Sequence, residues 1–391
     1  MQMRPRGLPT PRLKRAGQPW AVGSATRWIG GFALAGLLTL TVVSCGEEAL
    51  LPTKPSAGQP ADTVATVSET SYETVLLDPM GDERSAGWAI NDAGVAAGWT
   101  GAHGGRALRW TAPDLPEDLL ARRSGVRDIN NSGDVVGWVE DEFGEQIGFV
   151  VSDGVTTDLR GLEEWSQGVA FSINNAGTIV GMSTDTEEWP HRPGPVIWKR
   201  RTEGSYGVPT HLGLSSVNGR PRLNNRGDVV FTAFGNGYSP LVWHVQPDGG
   251  YGEPVFLGRP RSGTYIANDM NDAGVVVGYR WTGEIEVAVV WLPDDYANPV
   301  ELGVAGEAWG INEHNQVVGI TGGDWPVFGG VDRRPALWNV AMDGSFTGPQ
   351  DIGTPDGRES GGARAINDAG WIVGSTWGPG EVSATLWRPV D

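Results

Sequence analysis

From residue 71 to the end of the chain, apolar residues fall into short runs separated by turn-forming residues, the pattern of many brief strands. One fragment recurs seven times, an apolar strand ending on Asn, a short turn, and a second apolar strand: AINDAGVAAG at 89–98, DINNSGDVVG at 128–137, SINNAGTIVG at 172–181, RLNNRGDVVF at 222–231, DMNDAGVVVG at 269–278, GINEHNQVVG at 310–319 and AINDAGWIVG at 365–374. The repeated asparagines, Asn91, Asn130, Asn174, Asn224, Asn271, Asn312 and Asn367, stand 39, 44, 50, 47, 41 and 55 residues apart, a period in the range of propeller blades.

After each motif comes an apolar strand that closes on Trp110, Phe149, Trp198, Trp243, Trp291, Trp338 or Trp387. The first six of these are followed by a further strand ending in a Leu-Gly-like step, as in VFLG at 255–258 and VELG at 300–303. Four strands per repeat result, named A to D from the Asn motif onward. The seventh repeat lacks D, while YETVLLD at 72–78 precedes the first motif and fits the D pattern. An N-terminal strand that completes the C-terminal blade leaves no long exposed edge. The pattern predicts an all-β, seven-bladed β-propeller of four-stranded blades over 71–391, with a β-solenoid as the alternative.

In Asn-x-x-Gly between apolar strands, the Asn side chain can accept from the backbone two residues on, and Gly supplies φ > 0 at the end of a type I turn. The sixth repeat carries Asn315 in place of Gly, the residue next best suited to the left-handed region. The Gly that ends strand B, at 98, 137, 181, 278, 319 and 374, is expected to make room for a Trp ring from strand C. Phe231 in its place predicts different packing in the fourth repeat. The strand Trp residues read as core. A calcium loop needs roughly six to eight oxygens with several carboxylates; these turns offer one Asp at most, so no metal site is expected.

Composition fits many short strands around a core: 59 Gly, 18 Trp and 39% hydrophobic residues. The N-terminus differs in kind. Arg4, Arg6, Arg12, Lys14, Arg15 and Arg27 precede an apolar run at 29–43 that is too short for a membrane span of about 20 residues and suits a secretory signal. The run leads into Val42-Val43-Ser44-Cys45, which resembles the box of a bacterial lipoprotein signal, with Cys45, the only cysteine, as the lipidated residue. The domain reading is therefore 1–45 signal peptide, 46–70 flexible tether rich in Pro, Thr, Ser and Ala, and 71–391 repeats. Loss of six basic groups leaves 23 Lys and Arg against 47 Asp and Glu, a net −24, which disfavours nucleic acid. Gly46 after Cys45 is compatible with sorting to the outer membrane.

The Ala-x-x-Ile-Asn-x-x-Gly-x-Val-Val-Gly core, the closing Leu-Trp strand and the following Asp-Leu-Gly resemble the HAF repeat family of extracellular bacterial proteins, over 71–391. The His-Ala-Phe triplet of that family is replaced here by sequences such as Arg106-Ala107-Leu108 and Pro335-Ala336-Leu337. The resemblance implies export and a repeated β-fold, and transfers no catalytic residue.

Chemistry is expected on the face where the B–C and D–A loops emerge, since these are long and individual. They carry Trp165, Trp189, Trp281, Trp325 and Trp377 with Arg84, Arg192, Arg261, Arg333, Arg334 and Arg358. Aromatic and Arg side chains beside a channel suit a protein or glycan ligand, and the candidate ligand-binding set is Trp189, His191, Arg192, Trp281, Trp325, Arg333 and Arg334. The five histidines include no zinc-like pair, and no phosphate-cradling Gly-Lys motif is present. Carboxylates on this face, among them Glu140, Asp141, Glu142, Glu145, Glu163, Glu164, Glu187, Glu188, Asp324 and Asp332, could supply a glycosidase pair. The leading expectation is a monomeric, lipid-anchored, non-enzymatic envelope propeller that binds a protein or polysaccharide without a cofactor. The alternatives are a carbohydrate-active hydrolase or lyase and a structural envelope protein.

Overall fold

A computed structural model of the chain describes residues 69–101, 105–162, 167–184, 194–214, 219–235, 237–258, 264–322 and 333–390. Cys45 and almost all of the expected tether lie outside them. The described strands are paired antiparallel throughout, in sheets of four and seven strands, an all-β, propeller-like fold.

The fifth repeat shows the plan. Strand A is Thr264–Met270, B is Val276–Trp281, C is Glu286–Trp291, and D is the first part of Val300–Ile311, which runs on without a break as strand A of the sixth repeat. Leu115–Ile129 likewise serves as D of the first repeat and A of the second. Ser71–Leu76 pairs with Glu381–Val390, from Ser71 opposite Val390 to Leu76 opposite Thr385, and joins the sheet of Ile372–Gly378 and Ser360–Ile366. The strand before the first motif thus lies in the sheet of the last.

Apolar side chains gather between neighbouring sheets. Val180 and Ile197 of the third repeat pack with Leu223, Val229 and Trp243 of the fourth. Ile90, Leu108 and Trp110 of the first repeat pack with Val373, Ala384 and Leu386 of the seventh. Trp110, Trp198, Trp243, Trp291, Trp338 and Trp387 are all at most 2% exposed, so truncating any one to Ala would cost about 3–5 kcal/mol.

The turns are joined by the motif asparagines themselves. Each Asn Oδ1 accepts the backbone N–H four residues on, at 2.8 to 3.0 Å, as Asn91 does from Val95 and Asn367 from Trp371. Each Nδ2 then donates to the backbone carbonyl of the equivalent Asn in the next repeat, at 2.9 to 3.2 Å: Asn91 to Asn130, Asn130 to Asn174, Asn174 to Asn224, Asn224 to Asn271, Asn271 to Asn312, and Asn312 to Asn367. Asn367 donates to Asn91 at 2.9 Å, so the series returns to its start.

A second series runs beside the first. The backbone N–H after each Asn donates to the side chain at the same place in the following repeat, from Asp92 to Asn131 through to Asp368 and back to Asp92. This accounts for the Asn, Asp or Glu at that position in every motif, since each must present an acceptor. The turns themselves take the left-handed residue that the sequence calls for: Gly94, Gly133, Gly177, Gly227, Gly274, Gly370 and Asn315 all have φ between 56° and 94°.

The strand B glycine has a different cause from the one expected. Strand A carries a β-bulge three residues before the Asn, where Trp88, Arg127, Phe171, Asn268, Trp309 and Arg364 drop out of register with strand B. The bulge turns a strand A carbonyl toward the glycine. A Cβ at Gly98, Gly137, Gly181, Gly278, Gly319 or Gly374 would fall on the carbonyl oxygen of Ala86, Gly125, Val169, Ile266, Glu307 or Gly362 respectively. The strand C ring presses on the glycine as well at Gly181, where it is Trp198, and at Gly137, where it is Phe149. In the fourth repeat, where Phe231 replaces the glycine, strand A shrinks to Arg222–Leu223, and a Cβ at Gly219 would meet the Phe231 ring.

Asn174→Ala removes its turn acceptor and its link to Asn224 together. It is expected to lower unfolding free energy by about 2–4 kcal/mol in urea titration, given a cost of about 1–3 kcal/mol for each buried group left unpaired. Gly278→Ala, which sets a methyl against backbone rather than a movable side chain, should also destabilise. An unchanged midpoint in both variants would mean that neither the turn link nor the bulge holds the sheets.

Candidate functional site

A bulge frees its residue from the in-and-out alternation of the strand, so that side chain can be directed elsewhere. Here the bulge residues of successive repeats meet one another. The Arg364 guanidinium lies 4.3 Å from the Trp88 ring centroid and 5.2 Å from that of Trp309. Arg127 lies 5.1 Å from Trp88 and 5.5 Å from Phe171. Trp309, Arg364, Trp88, Arg127 and Phe171 therefore form one alternating stack drawn from five repeats, with each cation–π contact worth about 0.5–2 kcal/mol. Asn268 donates to the Ala308 carbonyl at 2.8 Å instead.

The fourth repeat supplies Arg222, which donates to the Phe171 carbonyl at 2.9 Å and lies 4.0 Å from Asp128. Positive charge thus collects at one place in a chain that is acidic overall. Burial lowers the Arg364 pKa to about 9, with repulsion from Arg222, Arg220 and Arg127 adding to it. Burial and then Arg220 and Arg222 lower Arg127 to about 10. Asp269 is pushed up to about 6 by burial, with Arg222 acting against the shift.

A second group adjoins the stack through Trp309, whose Nε1 donates to Glu307 Oε2 at 3.0 Å. Glu307 stands on strand A of the sixth repeat, Arg333 Nη1 lies 3.9 Å from its other oxygen, and Glu286 at the start of strand C of the fifth repeat is hydrogen-bonded to it. A carboxyl beside another carboxylate is disfavoured in its charged form, because two adjacent negative charges repel. The Glu286 carboxyl is accordingly pushed up to about 7, first by burial, then by the Glu307 charge and their hydrogen bond, with Arg333 opposing. The arrangement can take up or release one proton near neutral pH beside a guanidinium and indole rings. Among the described residues, no group of three or more His, Cys, Asp or Glu is arranged to hold a metal ion.

Of the residues singled out in the sequence, two fall at this second group. Arg333 contacts Glu307, and Trp281 is the cross-strand partner of Glu286. Arg334 points to Asp351 at 3.9 Å, away from the pair. Trp189, His191, Arg192 and Trp325 lie outside the described residues. Arg358 is held by Glu381 at 2.7 Å. Glu286, Glu307, Arg127, Arg364, Trp88 and Trp309 were not among the sequence candidates. The signal for the bulge residues is positional: they occupy the variable place three residues before each Asn.

No family model and no curated protein matches the chain. Among solved structures, it is similar to a puromycin hydrolase variant complexed with PGG, at 16% identity and a TM-score of 0.55, over 80% of this chain and 54% of that one. It is also similar to a puromycin-hydrolyzing peptidase of Mycobacterium tuberculosis, at 11% identity and a TM-score of 0.55, over 82% of this chain and 54% of that one. The chain spans about half the length of each. At such identities the likeness concerns the fold, and it agrees with a propeller-like arrangement of antiparallel sheets.

Because Glu286 titrates higher in the folded chain than its ordinary 4.5, its contribution to stability is full below about pH 4.5 and is lost as pH rises through about 7. Glu286→Gln keeps a donor toward Glu307 and removes the titration. The variant should therefore gain melting temperature relative to wild type between pH 5 and 8, read from melts across that range. A constant difference between the two curves would show that the Glu286 carboxyl is not raised in the folded chain.

Proposed function

We propose that the seven repeats close into a seven-bladed propeller, with Ser71–Leu76 as the fourth strand of the last blade. We further propose that this propeller is a recognition module of the bacterial cell envelope, anchored by a lipid on Cys45, that engages a protein or polysaccharide at its loop-bearing end. Ring closure is supported by the Asn hydrogen-bond series that runs from Asn91 round to Asn367 and back. Export is supported by the sequence signal alone.

The observation that carries the recognition reading is the gathering of Trp281, Glu286, Glu307 and Arg333 where the B–C and D–A connections emerge. The opposite end carries the Asn turns tied to one another, beside the C–D connections. A ligand is best met where backbone bonding does not dictate sequence, and aromatic and Arg side chains are the usual anchors of such surfaces.

Full-length protein should retain a polysaccharide or protein from envelope extracts of its own organism, and Trp281→Ala with Arg333→Ala should lose it. Retention by both proteins alike would remove this end from consideration. Cys45→Ser should move the protein from the membrane to the soluble fraction; no change in fractionation would refute the lipid anchor.

The carbohydrate-active reading draws on one specific feature, the hydrogen-bonded carboxyls of Glu286 and Glu307. Carboxyls in direct contact are closer than the roughly 5 Å of a retaining glycosidase, so this pair would have to part around a substrate. Under that reading Glu307→Gln stops turnover of a retained polysaccharide and leaves its binding intact, whereas the recognition reading predicts no turnover by either protein.

A further inference from the structure

The stacked arginines raise a question that the loop-end reading leaves open. Arg127 and Arg364 have aromatic faces on both sides, yet no carboxylate lies within ion-pair distance of either among the described residues. Arg127 Nε and Trp88 Nε1 are buried with no acceptor. The nearby acids are committed elsewhere: Asp128 accepts from Ser172 Oγ at 2.7 Å and Ile173 N at 3.0 Å, Asp269 accepts from Ile311 N at 3.2 Å, and Glu307 accepts from Trp309. Arg222 and Arg220 add their charge to the same place.

Buried donors without acceptors and crowded like charges are both unfavourable, and one bound anion relieves both. Guanidinium forks match the paired oxygens of carboxylate, phosphate and sulfate. Arg127 and Arg364 are half-buried, and Arg220 beside them is exposed.

We propose that Arg127 and Arg364, with Arg220 and Arg222 beside them and Trp88 between them, bind a small oxyanion. The assignment goes beyond the recognition reading and does not depend on it. Its residues come from strand A bulges and the fourth repeat, whereas the loop-end reading rests on Trp281 and Arg333.

The test is calorimetric titration of the full-length protein with sodium phosphate, sodium sulfate and sodium acetate, each against sodium chloride at matched ionic strength. At least one oxyanion should bind, and Arg127→Gln and Arg364→Gln should each weaken that binding tenfold or more. Arg388→Gln should not, because Arg388 stacks on Trp371 outside the cluster. Arg333→Ala should also bind as wild type does, which separates this site from the loop-end one. Binding of acetate alone would assign a carboxylate ligand, and binding of phosphate or sulfate a tetrahedral one. If a glutamine variant fails to fold, Arg364→Lys, which keeps the charge and loses the fork, should show the same weakening. No heat beyond that of chloride, or equal binding by wild type and the arginine variants, would overturn the proposal.

Discussion

A single side-chain amide in each repeat fixes both its own turn and the position of its neighbour. The Oδ1 of Asn174 holds the hairpin by accepting from Thr178, while its Nδ2 reaches the Asn224 carbonyl of the next repeat. Asn carries acceptor and donor on separate atoms of one planar amide, whereas Gln has a longer stem and a Ser or Thr hydroxyl puts both on one atom. The spacing of the sheets at this end is thereby set by the same atoms that shape the turns, and repeats of 39 to 55 residues must absorb their length differences elsewhere. They do so in the B–C and D–A connections at the opposite end and in the C–D connections, which run from two residues at 113–114 to eleven at 199–209.

The second constraint is the bulge in strand A. It requires glycine across from it in strand B, because a strand A carbonyl occupies the space where a side chain would begin. In return it releases one residue per repeat from packing duty. Those positions hold Trp, Arg, Phe, Asn, Trp and Arg, types chosen for mutual stacking and charge rather than for filling a core. Where the glycine is lost, at Phe231, the bulge is lost with it, and Arg222 enters the cluster from a shortened strand instead. The fold and the site therefore share one cause.

Much of the architecture is legible in the sequence because it repeats. The Asn turns, the left-handed Asn315, the buried strand C Trp residues and the displaced D strand at 72–78 each stand at a fixed offset from a recognisable neighbour. The site is less legible for physical reasons. A bulge is a single-residue slip in pairing, and nothing in the run Ala-Arg-Ala-Ile-Asn announces that Arg364 rather than Ala363 leaves the ladder. Glu286 and Glu307 belong to different repeats, and the pairing of Val287 with Ala305 in the unbroken strand Val300–Ile311 brings them together. The strand B glycine likewise reads from sequence as space for a Trp ring, because the carbonyl that faces it is placed there by the bulge. Arg333 and Trp281 were reached by residue type and loop position, without their carboxyl partners.

The central claim is that the repeats form a closed ring whose junctions are the Asn amides, and the junction between the last repeat and the first tests it most directly. Hydrogen–deuterium exchange of wild type and Asn367→Ala should show faster exchange in the turn at 91–95 and in Ser71–Leu76 as well as around residue 367. Asn367 and Asn91 are 276 residues apart in the chain, and their hydrogen bond stands beside that of the Asp368 N–H to Asp92 at the same junction. Faster exchange confined to the residues flanking 367, with the first repeat unaffected, would contradict the closed ring.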